Sequence, residues 1–244
     1  MNIDTLVRNN IKNMSSYSSA RDDYSGGANK KLIYLDANES PFDNGINRYP
    51  DNKHTELKKV ISNIKNINVN QIVFGNGTDE ILDLIVRVFC NPNKDKIITL
   101  PPTYGMYDVI AKTNGVENIE IPLKSDFSID KNEILKLSSK TTKILFLCSP
   151  NNPTGNSFDT NDLIDLIKGF NGVVVVDEAY IGFSSKQSLI SLINENNNLI
   201  ITQTISKAYG MAGIRLGMGF SNQKIINYLN KIKPPYNINV LTER

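Results

Sequence analysis

The sequence is poor in several residue types, and each scarcity excludes a class of protein. Its 244 residues include no tryptophan, one histidine and two cysteines. The cysteines, Cys90 and Cys148, are not spaced as a disulfide framework or a metal site. Both lie within apolar runs, IVRVFC and ILFLCSP, so we expect small buried hydrophobic side chains and no metal.

Charge and hydropathy exclude two further classes. The 27 basic residues nearly balance the 25 acidic ones without a block of like charge, so nothing indicates a nucleic-acid or membrane surface. The first residues hold no signal-peptide core and no run approaches membrane-spanning length, so we expect a cytoplasmic protein that acts on a small molecule. The single histidine, His54, follows NRYPDNK at a polar helix start. We expect it on the surface without a functional role.

From about residue 72 the sequence alternates short apolar runs with helical patterns. The runs are IVFG, IITL, IEIP, ILFLC, VVVVD, LIITQ and the RLGMGF segment. This alternation predicts an α/β domain with a mostly parallel seven-stranded sheet and helices on both faces. The last strand follows a short return and should run antiparallel. We predict an N-terminal arm over 1–37, a large domain over 38–233 and the start of an interdomain segment over 234–244.

Ligands of such sheets bind beyond the carboxyl ends of the strands, where two charged residues draw attention. Asp177 ends VVVVD, and a buried carboxylate there needs a cationic partner such as a protonated ring nitrogen. The ordinary alternative is a helix cap or a surface ion pair. Lys207 follows LIITQ, and partial desolvation would make its amine a usable nucleophile. A lone lysine is nearly always a solvated surface charge.

Other strand ends carry groups that suit a phosphate or an aromatic ring. The glycine turn at Gly77 leaves backbone amides free at a helix start, although an ordinary helix capped by Thr78 fits the same pattern. Asn152 offers an amide, and Tyr104 offers a flat ring. Hydroxyl groups and a guanidinium suited to a phosphate come from Thr204, Ser206 and Arg215.

Taken in order, these motifs resemble those of a known enzyme family. GNGTDE, PPTYGMY, SPNNPTG, DEAY and SKAYGMAGIRLG look like the marker series of pyridoxal phosphate (PLP)-dependent aminotransferases of fold type I, class I/II. YSSAR from Tyr17, LDANESP from Leu35 and NRYPD from Asn47 are closest to the histidinol-phosphate aminotransferase subgroup. The resemblance implies PLP as cofactor and a homodimer with shared active sites. It also implies amino transfer between histidinol phosphate or imidazole acetol phosphate and 2-oxoglutarate or glutamate, in histidine biosynthesis.

The resemblance also implies a role for each matching residue. Lys207 would bind PLP as a Schiff base and then shuttle a proton, and Asp177 would pair with the ring nitrogen. Tyr180 and Asn152 would bind the phenolic oxygen, and Tyr104 would stack on the ring. The residues implied for the phosphate are Gly77, Thr78, Asp79, Thr204, Ser206 and Arg215, with Tyr49 reaching the neighbouring subunit's phosphate. The residues implied for the substrate are Tyr17 and Asn38.

Two alternatives stay open at this point. A threonine-phosphate decarboxylase resembles this subgroup in most cofactor motifs. The sequence also departs from the family, with Ser16 in place of proline before Tyr17 and without the C-terminal small domain. In the family that domain supplies the arginine for the substrate carboxylate, so no residue here can be named for that role. The second alternative is therefore a truncated, non-catalytic PLP-binding fragment.

Overall fold

The computed structural model describes residues 1–18 and 33–244 and contains the predicted seven-stranded sheet. The strands are β1 (Ile72–Asn76), β2 (Lys96–Thr99), β3 (Glu117–Glu120), β4 (Thr142–Cys148), β5 (Val173–Asp177), β6 (Leu199–Thr204) and β7 (Leu216–Ser221). Their order is β1-β7-β6-β5-β4-β2-β3, and β7 runs antiparallel to both of its neighbours while the other pairs are parallel. The predicted fold class is confirmed. Only β3 is displaced, beginning two residues before the run IEIP.

Helices cover the sheet. In the described part of the chain they are α1 (Asn9–Asn13), α2 (Thr55–Lys65), α3 (Thr78–Phe89), α4 (Met106–Thr113), α5 (Lys131–Lys136), α6 (Thr160–Gly169), α7 (Gln223–Ile232) and α8 (Val240–Glu243). α7 ends before Lys233, whose backbone is extended because Pro234 follows it. No helix of the described residues is long and apolar enough to cross a membrane.

Strand β5 shows why the sheet lies between two cores. Its five residues are all buried, and neighbouring side chains point to opposite faces. Val173 and Val175 pack in the core that includes α3 and α7, whereas Val174 and Val176 pack in the core beneath α6. The α3 core also takes in apolar side chains from the first residues of the chain. These are Ile3, Leu6, Val7 and Ile11.

The predicted surface position of His54 is wrong, although a helix does begin directly after it. Its side chain is only 2% exposed, and Nδ1 is in hydrogen-bonding contact with the Glu243 carboxylate. Nε2 lies 3.2 Å from Oδ1 of Asn237, and the ring meets Phe74 edge-on. The polar sequence around His54 gave no sign of this, because its hydrogen-bonding partners are 183 and 189 positions further along the chain. Burial is the main cause that lowers the pKa of His54.

The topology places one set of strand ends together. Because β7 is antiparallel to both β1 and β6, β1 runs in the same direction as β2, β4, β5 and β6. The carboxyl ends of these five strands therefore lie along one edge of the sheet. This is the edge at which the sequence predicts the chemistry.

Candidate active site

A cavity of about 140 Å³ opens at this edge. It is lined by residues at or just beyond the carboxyl ends of β1, β4, β5 and β6, and by residues that precede β7 and α4. They are Gly77, Thr78, Asp79, Tyr104, Cys148, Asp177, Ala179, Tyr180, Thr204, Ser206, Lys207 and Arg215. The structure thus gathers in one place most of the residues predicted for a cofactor.

Asp177 forms the floor of the cavity and is only 2% exposed. Its Oδ2 accepts a hydrogen bond of 2.8 Å from the hydroxyl of Tyr107. Its Oδ1 accepts one of 2.9 Å from the Thr202 hydroxyl and one of 3.2 Å from the backbone amide of Ala179. All three donors are neutral, so this buried carboxylate has no ion-pair partner in the described part of the chain.

This environment acts on the pKa of Asp177 in two directions. Burial raises the pKa, while the hydrogen bonds from Tyr107 and Thr202 lower it by less. An anion buried in this way is costly unless a cation meets it. A protonated pyridine nitrogen in the cavity would supply that cation, so the site fits PLP in this respect.

The turn between β1 and α3 forms a second part of the site. Gly77 is the N-cap of α3 with φ of 78°, and no side chain caps the helix, so the predicted alternative of a cap at Thr78 is wrong. The first backbone amides therefore remain available to an anion. A Cβ built on Gly77 would lie 2.4 Å from Nη2 of Arg215, which shows how closely the guanidinium covers this turn.

The hydroxyl groups that follow β6 lie beside this turn. Thr204 Oγ1 lies 2.9 Å from Ser206 Oγ and accepts a hydrogen bond of 3.1 Å from the Ser206 backbone amide. Both residues line the cavity together with Arg215. Free helix amides, two hydroxyl groups and a guanidinium form the donor set that a phosphate requires. The second part of the site therefore also fits PLP.

Lys207 stands at the rim of the cavity. Its Nζ lies 5.5 Å from the ring centroid of Tyr180, a cation–π contact, and Tyr180 is half-buried in the cavity wall. The lysine itself is exposed, so the predicted partial desolvation is not present. Lys207 lies three residues beyond the end of β6, outside the buried part of the strand.

Tyr104 connects the two parts of the site. Its hydroxyl donates to Oδ1 of Asp79 at 3.0 Å, and its ring meets the Tyr107 ring edge-on at 5.5 Å. Burial, followed by the charge of Asp79, raises the pKa of Tyr104 well above its ordinary value. The phenol therefore stays protonated at neutral pH.

Four predicted residues lie outside the cavity lining. Asn152 is half-buried beside it, with its backbone amide near the Cys148 thiol. Tyr17 lines a separate groove beside Lys58 and Lys233. Asn38 and Tyr49 line a third groove of about 490 Å³, where Tyr49 stacks on Tyr236 at 4.4 Å. This groove is larger than the cavity but lacks its combination of buried acid, lysine and hydroxyl groups. For Tyr17 and Asn38, the substrate role stays a prediction.

Sequence reasoning missed two residues that hold Asp177, namely Tyr107 and Thr202. Both had a signal: Tyr107 stands three positions after Tyr104 in PPTYGMY, and Thr202 is two before Thr204 in LIITQT, on the same face of the strand. Cys148 is buried, as predicted, and also touches the cavity. Burial and the nearby charge of Asp177 raise its pKa to about 12, so it remains a thiol.

Comparison with known proteins agrees with this geometry. Residues 23–243 match the family model for aminotransferase class I and II. A histidinol-phosphate aminotransferase of Flavobacterium psychrophilum is 56% identical over 99% of this chain, which spans 70% of that relative's length. The chain belongs to the histidinol-phosphate aminotransferases.

Solved structures support the same fold. The histidinol-phosphate aminotransferase of Sinorhizobium meliloti, crystallised with pyridoxal-5'-phosphate, superposes with a TM-score of 0.75 at 23% identity, covering 80% of this chain and 54% of that one. An L-threonine-O-3-phosphate decarboxylase of Porphyromonas gingivalis gives a TM-score of 0.69 at 21% identity over 81% and 61% of the two chains. At these identities both likenesses show the fold alone. The decarboxylase alternative therefore lacks the sequence support that the aminotransferases have.

Proposed function

We propose that this protein catalyses PLP-dependent amino transfer between histidinol phosphate and 2-oxoglutarate, and the reverse reaction. The observation that carries the proposal is the placement of Asp177, Lys207 and the phosphate-binding set around one cavity. The 56% identity to a histidinol-phosphate aminotransferase supports the choice of substrate. Bound PLP supplies an electron sink that stabilises negative charge on the substrate carbon.

The residues of the cavity have separate tasks in this reaction. Asp177 would keep the ring nitrogen protonated, and the turn at Gly77 with Ser206 and Arg215 would hold the phosphate. Lys207 would attach the cofactor covalently, and its amine would carry the proton to and from the substrate carbon. Tyr180 and Asn152 would bind the phenolic oxygen, and Tyr104 would contact the ring.

Labelling of Lys207 tests the proposal most directly. The protein is incubated with PLP, reduced with borohydride and digested, and we expect the pyridoxyl mass on Lys207. Lys207→Ala should lose this label and at least about 10³-fold in amino transfer, because the proton carrier is gone. Lys140→Ala, at an exposed lysine outside the cavity, should keep both. A label elsewhere, or none on the wild-type protein, contradicts the proposal.

Substrate comparison separates the alternatives. With histidinol phosphate and 2-oxoglutarate we expect glutamate to form, and with threonine phosphate we expect no carbon dioxide. Release of carbon dioxide without keto-acid formation would favour the decarboxylase. A third outcome, PLP bound to Lys207 but unchanged in absorbance on addition of glutamate, would favour a binding-only fragment.

We infer further that the protein works as a cytoplasmic homodimer with shared active sites. Tyr49 supports the dimer, since it is 49% exposed and lies outside the cavity of its own chain. Large apolar side chains near it in sequence are also exposed, with Phe42 at 82% and Leu35 at 85%. Contact with a second copy would cover such side chains.

A further inference from the structure

The buried ring of Tyr107 packs against two other aromatic rings. The side chain is 1% exposed, and its ring stacks on Phe146 with centroids 4.8 Å apart and planes 6° apart. The Tyr107 ring also meets the Tyr104 ring edge-on, with an angle of 86° between the two planes. The phenol donates a hydrogen bond of 2.8 Å to Oδ2 of Asp177 and also lies beside the Cys148 thiol.

The phenol acts as a permanent donor in this position. Burial, followed by the charge of Asp177, raises the pKa of Tyr107 well above its ordinary value. The hydroxyl therefore keeps its proton at neutral pH and donates to the carboxylate. A hydrogen bond to an ionised acceptor is about twice as strong as one between neutral groups.

The two oxygens of Asp177 are thus fixed from two elements of the fold. Oδ2 is held by Tyr107 on α4, and Oδ1 is held by Thr202 on β6 and by the backbone amide of Ala179. Tyr107 makes the largest of the contributions that oppose the effect of burial on the pKa of Asp177. Without it, the carboxyl group would be neutral over a wider range of pH and would be held through Oδ1 alone.

We propose that Tyr107, assisted by Thr202, is a positioning residue that keeps Asp177 ionised and oriented toward the ring nitrogen of the cofactor. This rests on the proposed PLP-dependent function. Tyr107 does not line the cavity itself, so it acts through Asp177 and not by contact with substrate. It also links Asp177 to Tyr104, because the Tyr104 ring packs on the Tyr107 ring.

Tyr107→Phe tests the proposal because it removes the hydroxyl and keeps the ring stacked on Phe146. In the apoprotein, we expect the carboxyl ¹³C resonance of Asp177, assigned with Asp177→Asn, to titrate at higher pH than in the wild-type protein. We also expect about tenfold weaker PLP binding, measured by fluorescence titration. In addition, the pH range over which the visible absorbance of bound PLP changes should differ between Tyr107→Phe and the wild-type protein.

Tyr228→Phe is the matched control, since Tyr228 also donates to an aspartate, Asp4, at 2.8 Å but lies on α7 away from the cavity. It should leave the Asp177 titration and PLP affinity unchanged. If Tyr107→Phe lowers only the melting temperature and leaves both properties at their wild-type values, Tyr107 is structural and the proposal is wrong. Failure of the wild-type protein to bind PLP would instead contradict the proposed function. The apoprotein titration would still show whether Tyr107 affects the ionisation of Asp177.

Thr202→Val and Thr202→Ser provide a second pair should Tyr107→Phe fold poorly. Valine removes the hydroxyl that binds Oδ1, and serine retains it. We expect valine to raise the pH at which Asp177 titrates and serine to restore it. Identical titrations for the two variants would overturn the shared role of Thr202.

Discussion

The buried negative charge of Asp177 lowers the unfolding free energy of the apoprotein. The same buried charge suits a cofactor with a cationic ring nitrogen. Burial raises the pKa of Asp177 in the folded state above the value in the unfolded chain, so the folded state binds the proton more tightly. The unfolding free energy therefore falls as the pH rises through the interval between the two pKa values. Above that interval the apoprotein bears the full cost of the buried charge.

We expect Asp177→Asn to raise the stability of the apoprotein at neutral pH and to weaken PLP binding by about tenfold or more. The amide removes the buried charge but offers no anion to the ring nitrogen. Urea unfolding at several pH values, together with PLP titration, checks both effects. Asp108→Asn is the control at an exposed site paired with Lys112 and should leave PLP affinity unchanged. Loss of stability in Asp177→Asn at neutral pH would contradict the argument.

The residues of the candidate site, and their burial, were partly predictable from the sequence. Lys207 and Asp177 could be selected because each follows a buried strand, and the strand pattern is visible as apolar runs. The burial of His54 could not be found, because it depends on contact with Asn237 and Glu243, far away in the chain. Likewise, the exposure of Lys207 depends on the path of the turn after β6, which periodicity does not determine.

At the scale of elements, the pairing of β7 with β1 shapes the turn at Gly77, which we propose holds the phosphate. Gly217 lies opposite Gly75 in this pairing, and a Cβ built on it would lie 2.3 Å from the carbonyl carbon of Gly77 and 2.4 Å from the amide nitrogen of Thr78. The contact atoms belong to the backbone and have no free side chain to move aside. Glycine is therefore required at position 217 of β7 if the turn at Gly77 is to keep its path.

We expect Gly217→Ala to weaken PLP binding by at least about tenfold and to lower the unfolding free energy by about 1–3 kcal/mol. The added methyl group must displace the amides that hold the phosphate. Gly213→Ala is the control, since a Cβ there meets nothing within 4 Å. PLP titration and urea unfolding measure the two effects. Wild-type affinity in Gly217→Ala would show that the turn tolerates displacement.

The sheet was the most predictable element, and the cap of α3 was the least. Apolar runs predicted all seven strands, and the short return after Lys207 predicted the antiparallel direction of β7. By contrast, Thr78 has the residue type of a cap but occupies the first helical position, one residue after Gly77. The side-chain type alone could not decide whether Thr78 caps the helix or is its first residue.

At the scale of the whole molecule, the proposed dimer makes a prediction about dilution. If Tyr49 of one subunit completes the phosphate site of the other, PLP affinity should fall when the protein is diluted below its dimer dissociation constant. Tyr49→Phe should bind PLP more weakly at high protein concentration. It should also show little further loss on dilution, because the contribution from the second subunit is already missing.

Fluorescence titration of PLP at several protein concentrations, with sedimentation to follow association, checks this prediction. Tyr228→Phe serves again as the control and should behave as the wild-type protein does. PLP affinity that is independent of protein concentration, in a protein that does dissociate, would show that each active site is complete within one chain.

The alternation of side chains along β5 and β6 gives two adjacent acids opposite duties. Asp177 shares a face with Thr202 and reaches the cavity, whereas Glu178 points to the other side, where Gln203, Ser188 and the Leu189 amide bind it. Which of the two acids reaches the cavity is therefore a matter of parity along the chain. Deleting a single valine from β5 would turn Asp177 to the opposite face and bring Glu178 to the cavity face, so the site depends on the number of residues in the strand as well as on their types.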